Sequence, residues 1–146
     1  VETYHKALKP IQHLIQQKNI HHSEIDLLNQ KEYGYDEARM IQVFQNILGN
    51  AYKFTDESGM IQTKFIEKEG QLNISIFNTG KKIPEEDIEL IFDKFYQSKN
   101  QNIRKPIGTG LGLAICKKII EAHKGEISAE NKEIGVVFNI ILRHEI

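Results

Sequence analysis

A line of amide and basic side chains is the first feature of the sequence that could do chemistry. Apolar residues recur at helical spacing over residues 36–54 and form a predicted core face that includes Phe54, and Arg39, Asn46, Asn50 and Lys53 fall on one narrow polar stripe on the other side of that helix. Asparagine costs roughly half a kcal/mol relative to alanine inside a helix. Two such amides one turn apart are typical of side chains whose oxygens bind a hard cation. The lysine that follows on the same stripe indicates an anion nearby. The alternative is an ordinary polar helix face that tolerates two asparagines.

A glycine-rich turn at residues 108–113 is the second feature. It consists of Gly108, Thr109, Gly110, Leu111, Gly112 and Leu113, and it opens a predicted helix. Glycines let the backbone approach a ligand closely, and free N–H groups at the start of a helix bind phosphate. The turn lacks the Gly-Lys-Ser/Thr of a P-loop and the preceding strand of a dinucleotide fingerprint. The alternative is that these glycines only begin the helix.

Two further segments flank these features. Asn78, Thr79 and Gly80 end a predicted strand before Ile83 and Pro84, which places a small polar group at the edge of a sheet. An ordinary strand-to-helix turn would have the same pattern. The aromatic run at residues 91–96 has spacing that favours core packing over direct contact with a ligand.

The composition bounds the class of protein. The chain has 146 residues, a net charge of −1 and 40% hydrophobic residues, which suits one domain of ordinary core size. The near-zero charge argues against a broad nucleic-acid-binding face, and a single cysteine excludes a disulfide framework. We find no apolar run long enough to cross a membrane and no signal pattern. Because the chain begins at Val1 rather than Met, we expect it to be a segment of a longer protein.

Helices and strands alternate along the sequence in an order that defines the fold class. Periodicity predicts helices at residues 3–18 (interrupted by Pro10), 36–54, 84–95 and 110–123, and strands at 24–29, 32–35, 60–67, 72–78, 126–130 and 136–142. Asp36 is the predicted N-cap of the second helix. We therefore predict an α/β two-layer sandwich, in which helices cover one face of a mixed, mostly antiparallel sheet.

The four features together resemble the catalytic ATP-binding domain of sensor histidine kinases, whose superfamily includes gyrase, the Hsp90 chaperones and the MutL repair proteins. Residues 36–55 look like the N box, 78–84 like the first Gly box, 92–96 like the F box and 108–113 like the second Gly box. The resemblance covers about residues 24–142. It implies the Bergerat-type ATP-binding fold.

The resemblance also implies roles for individual residues. Asn50 would hold Mg²⁺ with support from Asn46, and Lys53 would contact phosphate. Asn78 stands where the family usually has the aspartate that accepts a hydrogen bond from the adenine amino group. Residues 97–107 would form the ATP lid. The implied catalytic residues are Asn46, Lys53 and Arg104; the implied nucleotide-binding residues are Asn50, Lys53, Asn78, Gly80, Lys82, Ile83, Tyr96, Gly108, Thr109, Gly110, Leu111, Gly112 and Leu113.

Position 46 separates kinases from hydrolases in this superfamily. Relatives that hydrolyse ATP carry a glutamate there, as the base that activates water. The amide of Asn46 cannot take a proton. The sequence therefore predicts an ATP- and Mg²⁺-dependent histidine kinase domain rather than an ATPase, with the γ-phosphoryl group kept for a histidine imidazole.

Departures from the family pattern keep other functions open. Asn78 and Lys82 replace the acid and the second glycine of the first Gly box, Val136 replaces a threonine on the penultimate strand, and Gln97 replaces an arginine. The changes at the adenine end favour a non-catalytic or nucleotide-altered regulatory module of the same fold as the alternative. An anti-sigma-type serine kinase is a further alternative.

The resemblance also implies partners and a location. None of the six histidines has the sequence context of a phosphoacceptor, so the acceptor helical hairpin is expected upstream or on another protein. Residues 1–146 are then one catalytic domain, with residues 1–18 as the end of that hairpin or its linker. A response regulator receiver domain is the second expected partner. We expect a monomeric, cytoplasmic domain without nucleic-acid or membrane contact, or the cytosolic part of a membrane-anchored sensor.

Overall fold

The computed structural model describes residues 1–28, 35–93 and 112–143. Four helices and five strands occur in these ranges. They are α1 (Glu2–Leu8), α2 (Gln12–Gln17), β1 (His21–Leu27), α3 (Glu37–Phe54), β2 (Met60–Lys68), β3 (Gln71–Thr79), α4 (Gly112–Ala122), β4 (Glu126–Asn131) and β5 (Gly135–Arg143), with short 3-10 helices at Lys9–Ile11 and Glu85–Asp87. Among these described helices, none is both long and apolar enough to cross a membrane.

The strands form one sheet in the order β1-β2-β3-β5-β4. The pairing of β1 with β2 is parallel, and the other three pairings are antiparallel. Helix α3 connects the two parallel strands, as a parallel pair requires a long crossover. The predicted α/β fold with a mixed, mostly antiparallel sheet is confirmed.

One face of the sheet is buried against the helices. Alternate residues of β2 and β3 are buried, while their neighbours along each strand are partly exposed. The buried strand residues include Ile61, Thr63, Phe65, Leu72, Ile74 and Ile76. They pack with the apolar face of α3, which supplies Met40, Val43, Phe44, Ile47, Leu48 and Ala51.

Helix α3 begins and ends where its sequence specifies. The Asp36 side chain accepts a hydrogen bond from the backbone N–H of Arg39 at 3.1 Å, which confirms the predicted N-cap. Phe54, predicted to face the core, is 40% exposed. It is the last helical residue, and Thr55 is buried instead, with its hydroxyl donating to the carbonyl of Ala51. The prediction for Phe54 was wrong because the chain leaves the helix before that position reaches the sheet.

The N-terminal segment is part of the core. Tyr4, Ala7, Leu8 and Ile15 are buried in the structure. The Tyr4 hydroxyl lies 2.6 Å from Thr63 Oγ1 and 2.8 Å from His22 Nε2, and burial raises the pKa of this phenol above its ordinary value. Pro10 lies in the 3-10 helix between α1 and α2, where the predicted interruption occurs. That residues 1–18 are a linker from an acceptor hairpin stays a prediction.

Two predicted elements differ from the structure. Strand β1 begins at His21 and ends at Leu27, whereas residues 29–34, which include most of the strand predicted at 32–35, lie outside the described residues. The helix predicted at 84–95 is a 3-10 helix over Glu85–Asp87 followed by turns to Asp93. The buried side chains of this segment are the consecutive Ile91 and Phe92, and neighbours in sequence do not share a helical face.

Candidate nucleotide site

Asn46 of α3 and the N-cap residue Asp36 connect this helix to the two ends of α4. The Asn46 Nδ2 amide donates to the carbonyl of Gly112 at 3.2 Å, where α4 begins. At the other end, the backbone N–H of Asp36 donates to His123 Nε2 at 3.2 Å, and His123 Nδ1 lies 2.8 Å from the carbonyl of Ile119. His123 therefore satisfies a carbonyl near the C-terminus of α4. The two helices run antiparallel, with the N box against the end of the second Gly box.

Cys116 is a core residue. It is fully buried one turn into α4, and its thiol donates to the carbonyl of Val43 at 3.7 Å. Burial raises the pKa of the thiol to about 12, although a hydrogen bond with Asn46 opposes the shift. The thiol therefore stays protonated at neutral pH and packs as a small apolar side chain.

The predicted cation and phosphate residues follow Asn46 along the same face of α3. Asn50 and Lys53 lie four and seven residues beyond Asn46 and are both partly buried. Burial lowers the pKa of the Lys53 amino group, and its Nζ lies 5.0 Å from the centroid of the Phe54 ring. The amide nitrogen of Asn46 donates to Gly112, which leaves the amide oxygen of this side chain to act as an acceptor. This donor set of amide oxygens suits a hard cation such as Mg²⁺.

Asn78 occupies a buried position at the end of β3. It is 4% exposed, and its Nδ2 donates to the carbonyl of Thr79 at 3.0 Å. This bond orients the amide, since only its nitrogen can donate to a carbonyl. Val136 is its register partner on β5. Two positions that depart from the family pattern, Asn78 and Val136, therefore lie side by side on neighbouring strands.

The turn after β3 packs against the end of α3. Gly80 has φ of +133°, and a side chain there would collide with the carbonyl of Phe54. Its N–H donates to the carbonyl of Ile134 at 3.1 Å, in the connection between β4 and β5. Gly135 is equally constrained, because a Cβ at that position would overlap the carbonyl oxygen of Asn78. The first Gly box therefore touches both the N box helix and the β4–β5 connection.

Asn131, at the end of β4, is a residue that the sequence analysis missed. Its Oδ1 accepts from the N–H of Ile83 at 3.0 Å, and its Nδ2 donates to the carbonyl of Ile83 at 2.7 Å. The same Nδ2 lies 3.0 Å from Glu85 Oε1. Lys82, one residue before the contact, is exposed. The only sequence signal was an asparagine at the end of a predicted strand.

Several predicted residues lie outside the described part of the chain. They are Tyr96, Arg104, Gly108, Thr109, Gly110 and Leu111, together with the lid predicted at residues 97–107. The remaining glycine-turn positions, Gly112 and Leu113, begin α4 and are partly buried. Of the predicted aromatic cluster, Ile91 and Phe92 are buried, and Phe92 packs edge-on against Phe138 at 6.3 Å between ring centroids. Core packing is confirmed for these two residues.

A metal site built from charged or imidazole ligands is absent from the described ranges. Among residues 1–28, 35–93 and 112–143, no group of three histidine, cysteine, aspartate or glutamate side chains could hold a metal ion.

A protein-family model matches most of the chain. The model described as histidine kinase-, DNA gyrase B-, and HSP90-like ATPase matches residues 35–146. Sensor histidine kinase WalK of Bacillus subtilis is 38% identical over 75% of this chain and 19% of its own length. Sensor protein VanSC of Enterococcus gallinarum is 33% identical over 88% of this chain and 35% of its own length. The chain thus spans about a fifth to a third of these relatives.

Solved structures give the same result for the fold. The nucleotide-free catalytic domain of histidine kinase ThkA is 35% identical, with a TM-score of 0.86 over 98% of this chain and 91% of that one. The structure of ThkA in complex with the response regulator TrrA is 32% identical, with a TM-score of 0.80 over 99% of this chain and 40% of that one. Both structural matches extend over α1 and α2, which precede the segment that the family model matches.

Proposed function

The chain belongs to the histidine kinase-, DNA gyrase B-, and HSP90-like ATPase family, and on that premise we propose that it binds Mg-ATP and donates the γ-phosphoryl group to a histidine. The acceptor histidine lies on a helical hairpin outside residues 1–146. The observation that carries the proposal is the bond from Asn46 to Gly112, which holds the predicted cation residues against the predicted phosphate-binding turn.

The phosphate end of the proposed site is built on α3 and the start of α4. Asn50 and Asn46 would hold Mg²⁺ through their amide oxygens, and Lys53 would contact a phosphate oxygen. When bound, Mg²⁺ neutralises phosphate charge and fixes the geometry of the triphosphate. Gly112 and Leu113 supply backbone N–H groups at the first turn of α4, where such groups favour anions.

The base end of the proposed site is built on β3 and the turn that follows. The bond from Asn78 to Thr79 turns the amide oxygen away from that carbonyl, so the oxygen is the atom to accept from the adenine amino group. A neutral amide is a weaker acceptor than a carboxylate. Gly80, Lys82 and Ile83 border the same end, and Tyr96 would complete it.

The identity of position 46 supports phosphoryl transfer over hydrolysis. An amide cannot remove a proton from water, so attack by water has no general base at this position. In the proposed reaction, a ring nitrogen of the acceptor histidine forms the new P–N bond while the bond from γ-phosphorus to the bridging oxygen breaks and ADP leaves. Arg104, on the predicted lid, would stabilise the negative charge of the transferring group.

The proposed partners follow from the reaction. The helical hairpin that carries the acceptor histidine is the first partner, and a response regulator receiver domain that takes the phosphoryl group from it is the second. The ThkA structure with TrrA supports this assignment for a related protein. We place the domain in the cytoplasm, alone or as part of a membrane-anchored sensor.

A regulatory module of the same fold is the second candidate function. The residues at the adenine end favour this alternative. Asn78 and Val136, paired on neighbouring strands, stand where the family usually has aspartate and threonine. In this alternative the domain binds nucleotide weakly or not at all and acts through contacts with partners.

Calorimetric titration with ATP and ADP, with and without Mg²⁺ and with GTP as control, tests the two candidates. Micromolar, Mg²⁺-dependent binding that prefers adenine is the expected result. It should be followed by transfer of the γ-phosphoryl group of Mg-ATP when the acceptor hairpin is supplied. Absence of binding at millimolar nucleotide would overturn the kinase proposal and favour the regulatory module.

A further inference from the structure

The segment that follows β3 is held at two points by the β4–β5 hairpin. At its start, the N–H of Gly80 bonds to the carbonyl of Ile134, and at its end both backbone groups of Ile83 bond to the Asn131 side chain. An amide side chain that bonds to both the N–H and the carbonyl of one residue makes the same two hydrogen bonds that a neighbouring strand would make. It holds that residue in a single orientation.

The position of Asn131 in the sheet relates this contact to the base end. Asn131 is the register partner of Val136 on β5, and Val136 is the register partner of Asn78 on β3. The three residues therefore form one row across neighbouring strands. Asn78 lies at one end of the row, and at the other end Asn131 holds the segment that borders the proposed base pocket.

The chemistry of the contact requires an amide. Asn131 Oδ1 must accept from an N–H, while its Nδ2 donates to the carbonyl of Ile83 and lies 3.0 Å from Glu85 Oε1. A carboxylate at this position would keep the first bond and lose the other two. It would also place a negative charge beside Glu85 and beside the carbonyl oxygen.

We propose that Asn131 is a positioning residue for adenine recognition. By fixing Ile83 it sets the path of the backbone from Gly80 to Pro84, and so the shape of the base pocket beside Asn78. The proposal rests on the proposed nucleotide binding. It predicts a function for Asn131 that none of the four family motifs includes.

The first test compares Asn131→Asp and Asn131→Ala with Asn139→Asp, a matched substitution on a partly buried residue in the middle of β5. Affinities for Mg-ATP and Mg-GTP are measured by calorimetry. We expect both Asn131 variants to weaken Mg-ATP binding about tenfold, the equivalent of about one hydrogen bond, and to reduce the preference for ATP over GTP. Asn139→Asp should match the wild type.

The ratio of the two affinities separates positioning from stability. A variant that is only partly unfolded binds both nucleotides less well by the same factor, so the ratio does not change. An unchanged ratio in both Asn131 variants, whether or not the two affinities fall, would overturn the inference while the wild-type binding stands. A wild type that binds neither nucleotide, or shows no preference for adenine, would overturn the proposed function with it.

Amide hydrogen exchange of the wild type provides a test that needs no variant. The N–H of Ile83 should be protected, and protection at this one amide should fall in Asn131→Ala while the N–H of Gly80 stays protected. Exchange of the wild-type Ile83 N–H at the rate of an unstructured peptide would overturn the inference, since the contact would then not form in solution.

Discussion

The side-chain amide of Asn46 donates a hydrogen bond to the backbone carbonyl of Gly112, 3.2 Å away on the neighbouring helix. The two residues are 66 positions apart in sequence. One belongs to the motif that resembles the cation site, and the other to the motif that resembles the phosphate site. A glutamate at position 46 would have no N–H to offer this carbonyl, so the bond that joins α3 to α4 at this point requires a donor such as the amide of Asn46.

Asn46→Ala tests this connection. We expect the free energy of unfolding to fall by about 1 kcal/mol, because the Gly112 carbonyl loses its partner, and Mg-ATP affinity to fall as well. Chemical denaturation and calorimetry measure the two effects. Gln45→Ala, on the exposed face of the same helix, is the control. Equal stability and affinity in the Asn46 variant and the wild type would contradict the role of this bond.

Asn50→Ala tests the cation assignment. The variant should lose the Mg²⁺-dependent part of ATP affinity, by roughly 10- to 100-fold, because an amide oxygen is removed from the proposed ligand set. The fold should persist, since alanine is the better helix former. Calorimetry with and without Mg²⁺ gives the result, and circular dichroism checks the fold. If Mg²⁺ strengthened ATP binding equally in variant and wild type, the assignment of Asn50 would be wrong.

Asn78→Ala tests base recognition. Loss of one neutral hydrogen bond to adenine should weaken Mg-ATP binding roughly tenfold and leave the weaker affinity for Mg-GTP unchanged. Asn73→Ala, on the same strand but on its partly exposed face, serves as the matched control. A parallel loss of both affinities would indicate damage to the fold rather than loss of an adenine contact.

His22 makes stability depend on pH. Burial lowers its pKa below the ordinary value of 6.5, reinforced by His5 and His21 and opposed by Glu24. The unfolded chain then binds a proton more readily than the folded one. The free energy of unfolding is therefore highest above pH 6.5 and falls as the pH drops through the lower, folded-state pKa.

Denaturant unfolding between pH 7.5 and 5 measures this slope. His22→Gln should reduce the loss of stability on acidification, whereas His13→Gln, at an exposed position that does not contribute to the His22 shift, should keep it. The slope is the diagnostic quantity, because the Gln variant also changes the contact with Tyr4 and hence the absolute stability. An identical pH dependence in wild type and His22→Gln would contradict the role of burial.

Local patterns were enough to predict most of the fold. The spacing of apolar residues and the Asp36 N-cap predicted α3, and alternation predicted β2, β3 and the final hairpin. The segment before residue 94 could not be predicted in this way. Ile83, at its start, bonds to Asn131, 48 residues away, and no periodicity within the segment indicates a contact of that range.

The site is only partly predictable from sequence for the same reason. The types and spacing of Asn46, Asn50 and Lys53 indicate their chemistry, because one helix face brings them together. The bond from Asn46 to Gly112 and the role of Asn131 depend on how distant elements pack. Sequence reasoning predicted groups that would touch a ligand, which stay predictions, and missed the contact of Asn131 with Ile83.

The parallel strand β1 lies, with α1 and α2, before the segment that the family model matches. A chain shortened to begin at residue 35 would leave β2 as an uncovered strand edge, with its backbone groups free to pair with another molecule. It would also lack Tyr4, whose ring packs on Phe44 and Phe65. The first 28 residues thus supply both the parallel partner of β2 and a buried part of the core, so their removal would expose apolar side chains as well as backbone groups.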